Sequence, residues 1–115
     1  MLEQEVFNND DYEVRLAHNH ELMALVAGEF IKEATELYGC LQTHLASYDW
    51  LNFTLVTHRL KGASLEVSGY RFCQLITEVE SLVKEENGKG ISSHLTSLKV
   101  EFDKLVAALE QEVLA

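Results

Sequence analysis

A chain of 115 residues is long enough for one domain to bury its own core without disulfides, metal or an obligatory partner, so residues 1–115 are read as a single domain. Hydrophobic residues make up 47% of it and mean hydropathy is -0.05, which excludes both a disordered tail and a membrane-embedded protein. Nineteen acidic against nine basic side chains leave a net charge of -10, which repels phosphate backbones and anionic lipid; nucleic acid and membrane are set aside, and a protein partner is expected.

The chain has no proline, and its six glycines fall mostly at segment ends, a pattern that favours long helices with short connections. The longest apolar run, Leu22 to Gly28, is too short for a bilayer, and the acidic start Met1-Leu2-Glu3-Gln4-Glu5 is unlike a secretory leader, so a cytoplasmic location is expected. Cys40 and Cys73 lack C-x-x-C spacing and are read as reduced, partly buried small apolar residues.

In chain order, Asp10 to Ala17 reads as a short helix ending near His18-Asn19, where Asn19 can cap the next one. From about His20 to Ala46, apolar residues recur at Leu22, Val26, Phe30, Ala34, Leu37, Leu41 and Leu45, which predicts a long amphipathic helix. Ser47 and Asp49 offer capping oxygens for a third segment, Trp50 to about Val67, stopped at Ser68-Gly69 by a glycine in the left-handed conformation. A fourth runs from Tyr70 to about Glu86 with Phe72, Leu75, Ile76, Val79, Leu82 and Val83 on one side, and the run Asn87-Gly88-Lys89-Gly90 breaks it. The last starts near Ser92 and carries Leu95, Leu98, Phe102, Leu105, Leu109 and Val113. The expectation is all-α: an antiparallel up-down four-helix bundle with a short extra N-terminal helix.

On a helical wheel the third segment gathers Phe53, Val56, Leu60, Ala63 and Val67 on one side, enough to account for its burial. His58 falls on the other side, in the company of Leu51, Leu55 and Leu65 and of Thr54, Lys61 and Gly62. Either a neighbouring element covers these leucines, or they form a docking patch with a histidine at its centre. Gly62 costs about 1 kcal/mol in a helix interior relative to alanine, and one turn after His58 it would leave room beside the imidazole. Lys61 can bring an ammonium toward the ring, a setting that suits a nucleophile holding a phosphoryl group.

The string His58-Arg59-Leu60-Lys61-Gly62 resembles the H-x-L-K-G signature of histidine-containing phosphotransfer (HPt) domains, and the likeness extends over nearly the whole chain. Asp49-Trp50 resembles the family's turn into the histidine helix; Phe53, Val56 and Leu60 resemble its core positions, and Phe72 through Glu80 its following helix. The resemblance implies a stand-alone phosphorelay carrier, with His58 as phosphoacceptor, Lys61 beside the phosphate and Gly62 as clearance. It implies reversible transfer between a receiver-domain aspartate and imidazole Nε2, with Mg²⁺ held by the receiver and no kinase active site or cofactor in this chain. Expected partners are response-regulator receiver domains or a hybrid histidine kinase, met by a monomer through Leu51, Thr54, Leu55, Arg59 and Leu65.

Three positions depart from the family's pattern. Ser68 stands where the helix-ending glycine is usual, with Gly69 one residue later, so a shifted cap is expected. Thr57 replaces a small alanine, and Glu80 occupies a position often held by glutamine. A Glu80 carboxylate close to His58 would favour the imidazolium and repel bound phosphate.

Two other classes compete with this reading. A metal-binding bundle would draw on His18, His20, His44, His58 and His94, but no E-x-x-H, H-x-x-x-H or H-E-x-x-H occurs, so no metal site is expected. A helical interaction module or kinase inhibitor would use the same face without phosphorylation, and it would keep signalling when His58 becomes Gln. A hydrolase has no nucleophile motif to rest on.

Overall fold

The computed structural model describes residues 5–85 and 88–115. Within them the helices are α1 (Asn9–Arg15), α2 (His20–Ala46), α3 (Trp50–Glu66), α4 (Tyr70–Lys84) and α5 (Gly88–Glu112). Each of α2 to α5 packs on the next as an up-down bundle, α5 closes back onto α2, and the short α1 lies against α2. None of the described helices is long and apolar enough to cross a membrane.

Side-chain caps set three of the helix starts. Asn8 accepts from the Asp11 amide at 3.0 Å, Asn19 from that of Leu22 at 3.1 Å, and Asp49 from that of Asn52 at 3.2 Å. Each such cap is worth about 1 kcal/mol. The Asn52 side chain and amide both donate to Asp49 and hold its carboxyl below the usual range. Ser47 does not cap α3; it ends α2, and its hydroxyl turns back to the Thr43 and His44 carbonyls. At the same end of the bundle, beside Tyr48, α5 begins at Gly88, ahead of the expected Ser92, so Gly88 and Gly90 belong to the helix. The expected break at Asn87 and the expected end of α4 at Glu86 fall outside the described residues.

The core contains Phe72, Leu75, Ile76 and Val79 of the predicted α4 stripe and Leu95, Leu98, Phe102, Leu105 and Leu109 of the α5 stripe, adds Ile91, leaves Leu82, Val83 and Val113 half-buried at its edge, and corrects the stripe on α2. There the buried set is Met23, Ala27, Phe30, Ala34, Leu37 and Leu41, whereas Leu22 is exposed and Val26 half-buried. The first turns of α2 are rotated so that Met23 faces α1, where the fully buried Tyr12 donates its phenol to the Met23 carbonyl at 2.6 Å. Burial pushes that phenol's pKa up to about 12. Phe102 of α5 meets Phe30 of α2 and Phe72 of α4 with ring centroids 6.2 and 5.4 Å apart, joining three helices at one point. Cys73 is half-buried, but Cys40 is exposed rather than partly buried; both are free thiols.

The corner between α3 and α4 holds the largest departure from expectation. The left-handed residue is Ser68, at φ 56°, and Gly69 has an ordinary φ of -91° as the cap of α4. The cap has not shifted. The unfavourable conformation of a non-glycine residue, about 1 kcal/mol, is offset by hydrogen bonds. The buried Ser68 hydroxyl donates to Asp11 at 2.7 Å and its carbonyl accepts from the Asn8 amide at 3.2 Å, while Tyr70 donates its phenol to the same Asp11 carboxylate. Glycine is needed at 69 for space, since a Cβ there would lie 2.6 Å from a methyl of the fully buried Leu105.

Gly69→Ala should therefore cost about 1–3 kcal/mol by overpacking, measured by chemical denaturation. The hydrogen bonds from Tyr70 and Ser68 hold the Asp11 carboxyl below its ordinary 3.8. A depressed carboxylate contributes stability that is present above its unfolded pKa and lost as pH falls through the folded one. The melting temperature of the wild type should thus stay above that of Asp11→Asn at neutral pH and converge on it only as pH falls below the ordinary carboxyl value of 3.8.

Candidate functional site

α3 is held by the side it buries: Phe53, Thr57, Leu60, Ser64 and Val67 have almost no solvent exposure, and Val56 little more. Two of these are polar, and both satisfy themselves within the helix. Thr57 donates to the Thr54 carbonyl at 2.9 Å and Ser64 to that of Lys61 at 2.8 Å. The threonine in place of a small alanine thus costs no unpaired group. Ala63, expected in the core, is only half-buried at its edge.

The opposite side is a stripe of Leu51, Leu55, His58, Gly62 and Leu65, spaced alternately four and three residues apart and all exposed. Leu51 is 74% and Leu55 55% exposed, so neither the N-terminal segment nor a neighbouring helix covers them; Leu65, at 37%, is only partly shielded. Thr54 and Arg59 are exposed at the stripe's borders. The structure therefore brings all eight sequence-predicted site residues onto one accessible surface of α3.

The His58 imidazole makes no hydrogen bond or ion pair among the described residues. A Cβ on Gly62 would meet nothing within 4 Å, so helix packing does not require the glycine. Gly28 and Gly39 on α2 are equally open, but neither lies one turn from an exposed histidine.

The two cations flanking His58 reach in opposite directions. Arg59 pairs with Glu33 of α2 at 3.0 Å, and Lys61 with Glu80 of α4 at 2.9 Å. The first pair is widely exposed, 65% and 47%; the second is more shielded, 32% and 21%. The hydrogen bond to Glu80 and its charge, helped by Cys73 nearby, raise the Lys61 pKa above the usual lysine value. The departure at Glu80 is thereby located: the carboxylate sits on Lys61, not on the imidazole. Glu33 was missed from the sequence, and no local signal could have found it, because the contact exists only once α2 and α3 lie side by side.

Within 50–66 the charges are Arg59 and Lys61 against Glu66 alone, which leaves +1 in a chain of net -10. Three of the other four histidines have acidic neighbours: His20 lies by Glu13, His44 by Asp49 and His94 by Glu78, while His18 sits in the left-handed turn between α1 and α2, away from α3. No cluster of three metal-ligating side chains occurs among the described residues. No protein-family model, no curated protein and no solved structure matches this chain.

Gly62→Ala should raise folding stability by about 0.5–1 kcal/mol, since the methyl enters open space and removes the helix penalty of glycine. Gly28→Ala should do the same, as read by denaturant titration.

Proposed function

We propose that the protein is a histidine phosphotransfer carrier that accepts a phosphoryl group on His58 from a receiver-domain aspartate and passes it to, or back from, another receiver. The observation that carries this reading is an unpartnered, solvent-exposed imidazole at the middle of an apolar stripe, with open space at Gly62 one turn away and two cations beside it. The resemblance of residues 58–62 to the HPt signature agrees with it, as does the bundle.

In the transfer, His58 Nε2 attacks the phosphorus of an aspartyl phosphate in line. The N–P bond forms as the bond from phosphorus to the carboxylate oxygen breaks, and the aspartate leaves with the electron pair. The imidazole needs no general base, because the attacking nitrogen of the neutral ring carries a lone pair while Nδ1 keeps its proton. The receiver supplies Mg²⁺ and the acidic pocket; this chain supplies the nucleophile, the clearance and the ammonium of Lys61. Leu51, Leu55 and Leu65 bury apolar surface on docking, with Thr54 and Arg59 at the rim. α3 is the least acidic helix of this chain, so it opposes the acidic mouth of such a pocket less than the other helices would.

The experiment is phosphoryl transfer from an acetyl-phosphate-charged receiver domain, beside a His58→Gln control. Acid-labile, base-stable label should appear on the wild type and be absent from the control. A folded protein that takes no label from several competent receivers would instead support an interaction module using the same surface. The double variant Leu51→Ala, Leu55→Ala should slow receiver-driven transfer about thirtyfold at limiting concentration, at about 1 kcal/mol per truncated contact, and leave labelling by the small donor phosphoramidate unchanged. Gly62→Ala, although more stable, should lose transfer while Gly28→Ala retains it.

A further inference from the structure

Resting on the carrier reading, the geometry points to Glu80 as a positioning residue that competes with the phosphoryl group for the Lys61 ammonium, and so keeps phospho-His58 a more readily discharged donor than it would otherwise be. Lys61 lies three residues after His58, on the adjacent side of the same helix, and its Nζ is held by Glu80 Oε1 at 2.9 Å from α4. Both partners are partly shielded from water, so this pair is less screened than the Arg59–Glu33 pair on the other flank.

A phosphoryl group on His58 brings close to two negative charges and three acceptor oxygens within reach of Lys61. An ammonium has three protons to donate, but the carboxylate of Glu80 holds it toward α4 and neutralises part of its charge. The phosphoryl group then gains less from Lys61 than it would from an unpaired lysine. Among the described residues, Arg59 is the other cation adjacent to His58, and it is drawn toward α2 by Glu33. The acidic partner on α4 therefore bears on the equilibrium between phospho-histidine and phospho-aspartate, without touching either reacting atom.

Replacing the carboxylate by the isosteric neutral amide keeps the packing and removes the competition. The test takes the full chain as wild type, Glu80→Gln, Lys61→Met and the double variant, each confirmed folded by its circular dichroism melt. Each is equilibrated with one receiver domain, and the ratio of phospho-His58 to receiver aspartyl phosphate is read by acid and base lability. Glu80→Gln should shift that ratio toward phospho-His58 by about two- to five-fold, the range expected of a partly exposed ion pair. The shift should disappear in the Lys61→Met background. In the amide variant the Lys61 Nζ resonance should also move further on phosphorylation than it does in the wild type, which a merely structural role would not cause.

An equal shift in both backgrounds would overturn the proposal, because Glu80 would then act directly on the phosphate. So would no shift at all in a protein that is labelled on His58. Failure of the wild type to take label on His58, from receiver or from phosphoramidate, would overturn the carrier reading and this inference together.

Discussion

Thr57 and Leu60 are buried while their neighbours His58 and Arg59 stand in solvent, so the rotation of α3 about its own axis decides what the protein can do. Successive residues of a helix are about 100° apart, and a turn by that angle would carry His58 into the place of Thr57 in the bundle and Leu60 out into the place of Arg59. Phe53, Leu60 and Val67 prevent this, each fully buried and each worth about 1.5–3 kcal/mol in apolar area removed from water. An imidazole can remain unpartnered on the surface because the opposite side of its helix has no freedom to roll.

The electrostatic arrangement follows from the same rotation. With α3 fixed, Arg59 faces α2 and Lys61 faces α4, and each finds an acid across the helix boundary. An acidic protein thus keeps one nearly neutral helix without leaving the cations on it free. The two pairs are unequal: the more exposed one contributes little, and the more shielded one on the α4 side perturbs its lysine.

Much of this was legible in the residues. Asn19 and Asp49 mark helix starts because a short acceptor directly precedes an apolar-periodic run, and the wheel of α3 separates Phe53 and Leu60 from His58 without knowledge of any neighbour. The register of α2 was not legible at its start, where Leu22, Met23, Leu25, Val26 and Ala27 are all apolar and two stripes fit equally well. Only the packing of Tyr12 on Met23 chooses between them. Ser68 was misread for a related reason: the hydrogen bonds that let a serine adopt a left-handed conformation come from α1, more than fifty residues earlier. Gly88 and Gly90 look like breakers in isolation, yet they start a helix whose apolar face continues through Ile91 and Leu95. The Lys61–Glu80 contact required the apposition of α3 and α4, which no spacing within one helix discloses.

A bundle whose helices pack on their successors assembles mainly by closing short loops, and such local topologies fold on microsecond to millisecond timescales. The Asp11 cluster is the exception, since it joins Ser68 and Tyr70 to a residue 57 and 59 positions earlier. The seven-residue α1 docks on a corner that α3 and α4 build, and alone it is too short to persist as a helix. Its amides should accordingly exchange with deuterium ahead of those at the centre of α3.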